Sequence, residues 1–200
     1  GWIMTLAYMA RFQHREDTRN TLLGEAMRLA LDETFITVST SSQHLLLADA
    51  MLLCSALCND AKQSGIMRDK ALERIGLAES LLPAPSRDDY RDPDSPRKQV
   101  PLYRSMAYLS MAVEATGAAR AEHLAAFSDA LIAYAGQSSL QAGCQAGLFA
   151  RERAPLIWEK AEKTLGNEAL FLSGKGLWVI VFPPNEQRSA SIPHETTSLD

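Results

Sequence analysis

Asp49 is the residue whose setting most suggests chemistry. It stands inside an almost wholly apolar run, Leu45 to Cys58, with Leu45, Leu46, Leu52 and Leu53 three and four positions away. A carboxylate so placed lies either on one exposed strip of a helix or in the interior beside a partner. In the second case desolvation raises its pKa toward the range that suits general acid–base work. His44 and Ser55 are the other polar members of the segment, but a helical wheel does not bring all three together. Asp49 and His44 are therefore the candidate site residues, and neither is assigned a catalytic role.

Other constellations carry less. Cys54 and Cys58 lie four apart within the same run, and Cys144 is distant. Three cysteines cannot all be paired in a disulfide framework. They read as buried free thiols acting as small hydrophobes, which points to a reducing, cytoplasmic setting. No CxxC, HxxxH or HExxH spacing is present, so no metal or cofactor is expected. There is no GxSxG elbow. Gly174-Lys175-Gly176 lacks the earlier glycine and following Ser/Thr of a phosphate loop and reads as a turn. Asp88-Asp89 and Glu159 with Glu162 read as solvated acids. Ser95-Pro96-Arg97-Lys98 has the form of a proline-directed phosphorylation site within a solvated loop.

The elements that must position these residues are helical. Leu45–Cys58, a turn at Ser64-Gly65, and a second segment carrying Met67, Ala71, Ile75, Ala78 and Leu82 before Pro83 form an antiparallel hairpin. The steps of four, four, three and four define one helix face. Upstream, Trp2–Phe12 is apolar on nearly every side and reads as a core helix. At about eleven residues it falls short of the roughly 20 a membrane span needs, and it lacks signal-peptide features. A helix capped by Asp17 or Thr18 follows to about Asp32. Phe35–Val38 is too short to stand as a strand. Residues 39–42 (STSS) offer caps for the hairpin.

Downstream, residues 83–101 hold five prolines and four charges of each sign, and read as a long exposed loop. Pro101 is placed to open a helix that ends at Gly117. A second helix ends at Gly136, a third contains Gly143 and Gly147, and a fourth runs from Pro155 to Gly166. Residues 169–172 and 177–182 read as a small β-hairpin. The domain is thus 1–182, mainly α, built of antiparallel helical hairpins with a C-terminal β-hairpin. Residues 183–200 form a disordered tail.

At 200 residues, 46% hydrophobic and 22% charged, the chain is one ordinary globular domain. A net charge of −4, with no basic cluster beyond Arg97-Lys98, leaves no footprint for nucleic acid.

Within residues 69–83, Ala71, Ile75, Ala78 and Pro83 fall at the small, large, small and terminal-proline positions of a tetratricopeptide repeat. The stretch resembles the second helix of that repeat. The Trp, Leu-Gly and Tyr of its first helix are absent from Leu45–Asp60. The resemblance implies a helical scaffold that binds a peptide or protein, and no site residue is carried over from it.

The leading expectation is a non-enzymatic scaffold or protein-interaction domain, with a protein or peptide partner and homo-oligomerisation through the terminal hairpin. The alternative is an enzyme or sensor with an apolar pocket near Asp49, lined by Trp2, Met4, Met9, Met106 and Met111. A third is a regulatory fragment of a longer protein, since the sequence opens Gly-Trp rather than Met.

Overall fold

The computed structural model describes residues 1–34, 36–85, 92, 94–136, 152–165, 170–172 and 177–179, the last two spans as backbone only. Its centre is the helix Ser41–Leu57, here α3. Thr40 starts it with a capping box: its side chain accepts from the Gln43 backbone N–H at 3.3 Å, and the Gln43 side chain accepts from the Thr40 N–H at 3.2 Å. Ala48, Met51 and Cys54 on this helix are wholly buried. As its all-round apolar character implies, α3 packs against five other helices: α1 (Trp2–Phe12), α2 (Glu16–Leu31), α4 (Ala61–Ser80), α5 (Pro96–Glu114) and α7 (Pro155–Leu165).

The hairpin partner α4 begins earlier than the sequence suggests. The turn is Cys58–Asp60, not Ser64-Gly65, because the Asp60 carboxylate caps the helix by accepting from Gln63 N–H at 2.8 Å. Ser64 and Gly65 lie within α4, and the buried Ser64 hydroxyl is bonded back to α3. The expected stripe is present: Met67, Ala71, Ile75 and Ala78 are wholly buried, and Leu82 is half-buried. The alanines leave room for close approach of α3. Burying Ile75 contributes about 2–3 kcal/mol.

Helices α1 and α2 pair with each other and lie along α3. α2 starts at Glu16 without a side-chain cap, so Asp17 and Thr18 lie inside it, and Glu16 and Asp17 supply acid to its first turn. Residues 36–38 form neither helix nor strand, and the Ile36 N–H donates back to the Asp32 carbonyl at 3.2 Å.

The proline-rich segment ends sooner than expected. α5 opens at Pro96, with Ser95 as N-cap, and Pro101 lies inside the helix rather than at its start. Proline fits the first helical position, and Pro96 takes it. Residues 86–91 and 93 of that segment lie outside the described residues. Gly117, with φ +57, opens the next helix, α6 (Gly117–Ala135), instead of closing α5, whose cap is Ala115. Gly136 closes α6 at φ +73, a left-handed conformation that glycine adopts freely. α6 packs on α5. Among the described residues Phe127 meets Trp158 of α7 edge-on, ring centres 6.3 Å apart.

The helix expected around Gly143 and Gly147 and the tail 183–200 lie outside the described residues. The three-residue segments Leu170–Leu172 and Leu177–Val179 run antiparallel. Their connection and side chains lie outside the described residues, so the expected β-hairpin over 169–182 and an oligomer contact through it are not supported. The fold is that of the helices. No described helix is long and apolar enough to cross a membrane.

Candidate functional site

Asp49 belongs to both of the settings its sequence allows. It lies on the least buried strip of α3, between exposed Leu46 and half-buried Leu53, and it is covered from above by two partners. The Tyr103 hydroxyl, from α5, donates to its carboxylate at 3.4 Å. Arg153, just before α7, donates to the Tyr103 hydroxyl from Nη2 at 3.0 Å and lies 5.9 Å above the ring. Burial pushes the Asp49 carboxyl up to about 6, against the opposing pull of Arg153 and of the Tyr103 hydrogen bond. Burial and the Asp49 charge push the Tyr103 phenol up to about 12. The adjoining crevice has a volume of about 30 Å³ and is lined by Tyr8, Arg11, Asp49 and Arg153 among others. That is the scale of a single water molecule. The triad therefore joins α3, α5 and the segment leading into α7 electrostatically, with little space for a reactant.

His44 is elsewhere. It is buried at 6% exposure, and burial followed by the nearby Arg74 charge lowers its pKa. Its Nδ1 has no hydrogen-bond partner among the described residues. Arg74 in turn donates to Glu33 at 3.2 Å. Asp49 faces α5 and α7 while His44 faces α4, so the two candidates do not form one site.

A polar cluster that the sequence reading passed over joins α3, α4 and α5. The Ser55 and Ser64 hydroxyls are 2.9 Å apart. Arg68 donates to Ser64 Oγ at 3.0 Å and to Glu114 Oε2 at 2.6 Å. Burial pushes the Glu114 carboxyl up, but the Arg68 hydrogen bond and charge, with Ser64, outweigh it and hold the pKa below the usual range. Burial lowers the pKa of Lys160 nearby, with Glu114 opposing. The signal available in sequence was Arg68, placed beside Met67 on the buried stripe. A buried guanidinium needs a carboxylate. Ser64 and Glu114 are thereby engaged in tying α4 to α5.

Cys54 and Cys58 are free, buried thiols; burial and the neighbouring Cys58 push Cys54 up to about 12, away from nucleophilic reactivity. No group of three metal-ligating side chains occurs among the described residues. Ser95 is the buried N-cap of α5, so the phosphorylation motif is closed to a kinase in this fold.

The most unusual surface is that of α1. Only one side of this helix is buried, through Ile3, Leu6, Ala7 and Ala10, which corrects its reading as a core helix. Its other side presents Trp2 at 62%, Met9 at 52%, Phe12 at 68% and Tyr8 at 44% exposure. The reason is position: among the described residues α1 packs chiefly against α2 and α3, with Tyr8 and Arg11 reaching the crevice beside Arg153. Two open grooves flank it. One, about 690 Å³, runs between α1 and Leu22 and is lined by Met4, Tyr8, Met9 and Phe12. The other, about 260 Å³, lies between α1, residues 36–38 and α3, and includes Trp2 and Leu46. Neither groove is lined by a charged side chain. Of the residues expected to enclose a pocket, Trp2, Met4 and Met9 line these grooves, whereas Met106 is in the core. No protein family, curated protein or solved structure matches this chain.

Proposed function

We propose that this chain is a non-enzymatic helical interaction domain that docks a protein partner on the outward face of α1. The observation that carries the reading is the group of four large apolar side chains, Trp2, Tyr8, Met9 and Phe12, exposed together on one eleven-residue helix. Scattered exposed hydrophobes are ordinary, but a contiguous apolar patch between grooves costs solubility and is retained where something covers it. Aromatic and methionine side chains are the types enriched at protein interfaces. The rest of the domain then serves as a rigid mount. Its alanine-lined α3–α4 contact is the feature that resembles a tetratricopeptide hairpin and supports the scaffold reading.

The alternative of an enzyme or sensor near Asp49 has less support, because the crevice there is of single-water size and its polar groups are mutually engaged. Panning a random peptide library on the folded domain tests the proposal. Enriched peptides should lose at least tenfold in affinity on Trp2→Ser or Phe12→Ser. No enrichment, or enrichment indifferent to both substitutions, contradicts it.

A further inference from the structure

The opening turn of α3 carries two buried polar groups that nothing satisfies. Ser41 and His44 are both more than nine-tenths buried, and neither Ser41 Oγ nor His44 Nδ1 has a hydrogen-bond partner among the described residues. A helical side chain leans toward its own N-terminus, so the imidazole lies over this turn. The buried Arg74 of α4 acts on it from across the hairpin.

The charges around His44 supply no counter-ion. Arg74 donates to Glu33 at 3.2 Å, and Glu73 beside it is held by Lys70 at 2.7 Å. Past the end of α2, Asp32 accepts from Thr34 and lies 3.9 Å from Arg28. α1 contains no acid. Glu114, the single acid of α5, is bonded to Arg68, and Asp49 faces Tyr103 and the segment into α7 on another side of α3. A proton on His44 therefore puts a second cation beside Arg74 in a buried position, and an unpaired buried charge is strongly destabilising. The neutral imidazole fits the site and the imidazolium does not.

The same turn holds the chain in front of it. Gln43 Oε1 accepts from the backbone N–H groups of Ser39 at 2.9 Å and Thr40 at 3.2 Å. The His44 N–H donates to the Thr40 carbonyl at 3.1 Å. Residues 36–38 then form one wall of the groove of about 260 Å³ beside Trp2. Their anchors are the Arg74–Glu33 bond on one side and the capping box on the other, and Arg74 and Gln43 both neighbour His44.

We infer that His44 triggers a proton-released strap: acid frays the first turn of α3, frees residues 36–40 and opens the groove beside Trp2. A short turn with unsatisfied polar groups belongs to the low-stability end of a fold, and histidine is the side chain that gains charge just below neutral pH. Burial and then Arg74 lower the pKa of the imidazole, so release comes below 6.5 and neutral pH keeps the strap closed. As a control on docking this rests on the reading of α1 as the docking face; as a device of the fold it does not.

The test follows the full chain by nuclear magnetic resonance between pH 7.5 and 5. Amide protection, corrected for the intrinsic pH dependence of exchange, should fall at least tenfold at Ile36, Ser39, Thr40 and Gln43 as the His44 ring protons titrate. Protection at Met67, Ala71 and Ile75 should be retained, and the Trp2 indole N–H should shift with the same midpoint. His44→Gln should remove this pH dependence. His44→Phe, which fills the same site with no proton to gain, should do likewise. Arg74→Gln should move the imidazole titration to higher pH.

Titration of His44 with no loss of protection at residues 36–43 overturns the inference, since side-chain rotation alone then relieves the charge. So does a loss that persists in both His44 variants, which assigns it to another group. Loss that spreads in step to α4 makes the event global unfolding and also overturns it, as does a Trp2 signal that stays put while the strap opens. None of these readouts uses a partner, so peptides that fail to bind α1 overturn the docking reading and leave the strap standing.

Discussion

The Asp49 carboxyl, raised from 3.8 to about 6 by burial, has a definite sign for stability. The folded state holds the proton more tightly than the unfolded chain, so the contribution is fully present below pH 3.8 and is lost as pH rises through about 6. Ionised Asp49 thus costs stability at neutral pH, with a ceiling of about 3 kcal/mol from the size of the shift. Asp49→Asn should stabilise the fold by about 1–2 kcal/mol at pH 8 and by much less at pH 4, measured by urea unfolding at the two pH values. An unchanged difference across that range contradicts a buried, strained carboxylate. His44 has the opposite sense: its lowered pKa gives stability that is present above 6.5 and declines as pH falls through its folded value. The Arg68–Glu114 pair supplies a second residue-scale contrast. Arg68 is 9% exposed and Glu114 35%, against 31% and 52% for the surface pair Arg104–Glu79. Glu114→Gln should cost about 1–2 kcal/mol after allowance for solvent at Glu114, and Glu79→Gln under about 0.5 kcal/mol. Chemical denaturation of both variants checks the ratio. At this scale the sequence exposed the oddity of Asp49 but not its partners, because Tyr103 and Arg153 lie 54 and 104 positions away and only the tertiary fold brings them near.

Periodicity carried the element-scale reading wherever a helix buries one narrow stripe, as α4 does with Met67, Ala71, Ile75 and Ala78. It was weaker at boundaries, where a cap decides. Ser64-Gly65 has turn composition, yet Ser64 is held inside α4 by Ser55, and Asp60 provides the stronger start signal. Asp60→Ala should therefore lower stability by about 1 kcal/mol while Asp60→Ser is nearly neutral, read from thermal or urea midpoints. A neutral Asp60→Ala would place the helix start elsewhere. Composition misled at α5: prolines imply loop, but Pro96 sits where the missing N–H is harmless. Pro101, one and a half turns in, is tolerated against its usual cost. The exposed face of α1 was illegible for another reason. An all-apolar helix has no stripe to distinguish the side that packs from the side left bare, and only its edge position, with α2 and α3 on one side, settles which is which.

For the molecule as a whole, the two polar groups nearest the core tie helices together. The Asp49–Tyr103–Arg153 and Ser55–Ser64–Arg68–Glu114 groups join helices distant in sequence, and His44, Cys54 and Cys58 are buried. Of the nine large apolar side chains exposed among the described residues, four (Trp2, Tyr8, Met9 and Phe12) stand on α1. Trp2→Ser together with Phe12→Ser should leave the unfolding free energy from urea titration within about 0.5 kcal/mol of the parent, since both side chains are mostly in water already. A large loss of stability would make them core residues rather than docking residues. The most direct measurement of the central claim is site-specific photo-crosslinking in cells that naturally make this protein. A photoreactive amino acid is placed at position 9 of α1 and, as control, at exposed position 69 of α4. A discrete protein adduct from position 9, absent from position 69 and lost on Phe12→Ser, is the predicted result. The same adducts from both positions, or none from position 9, would contradict docking on α1.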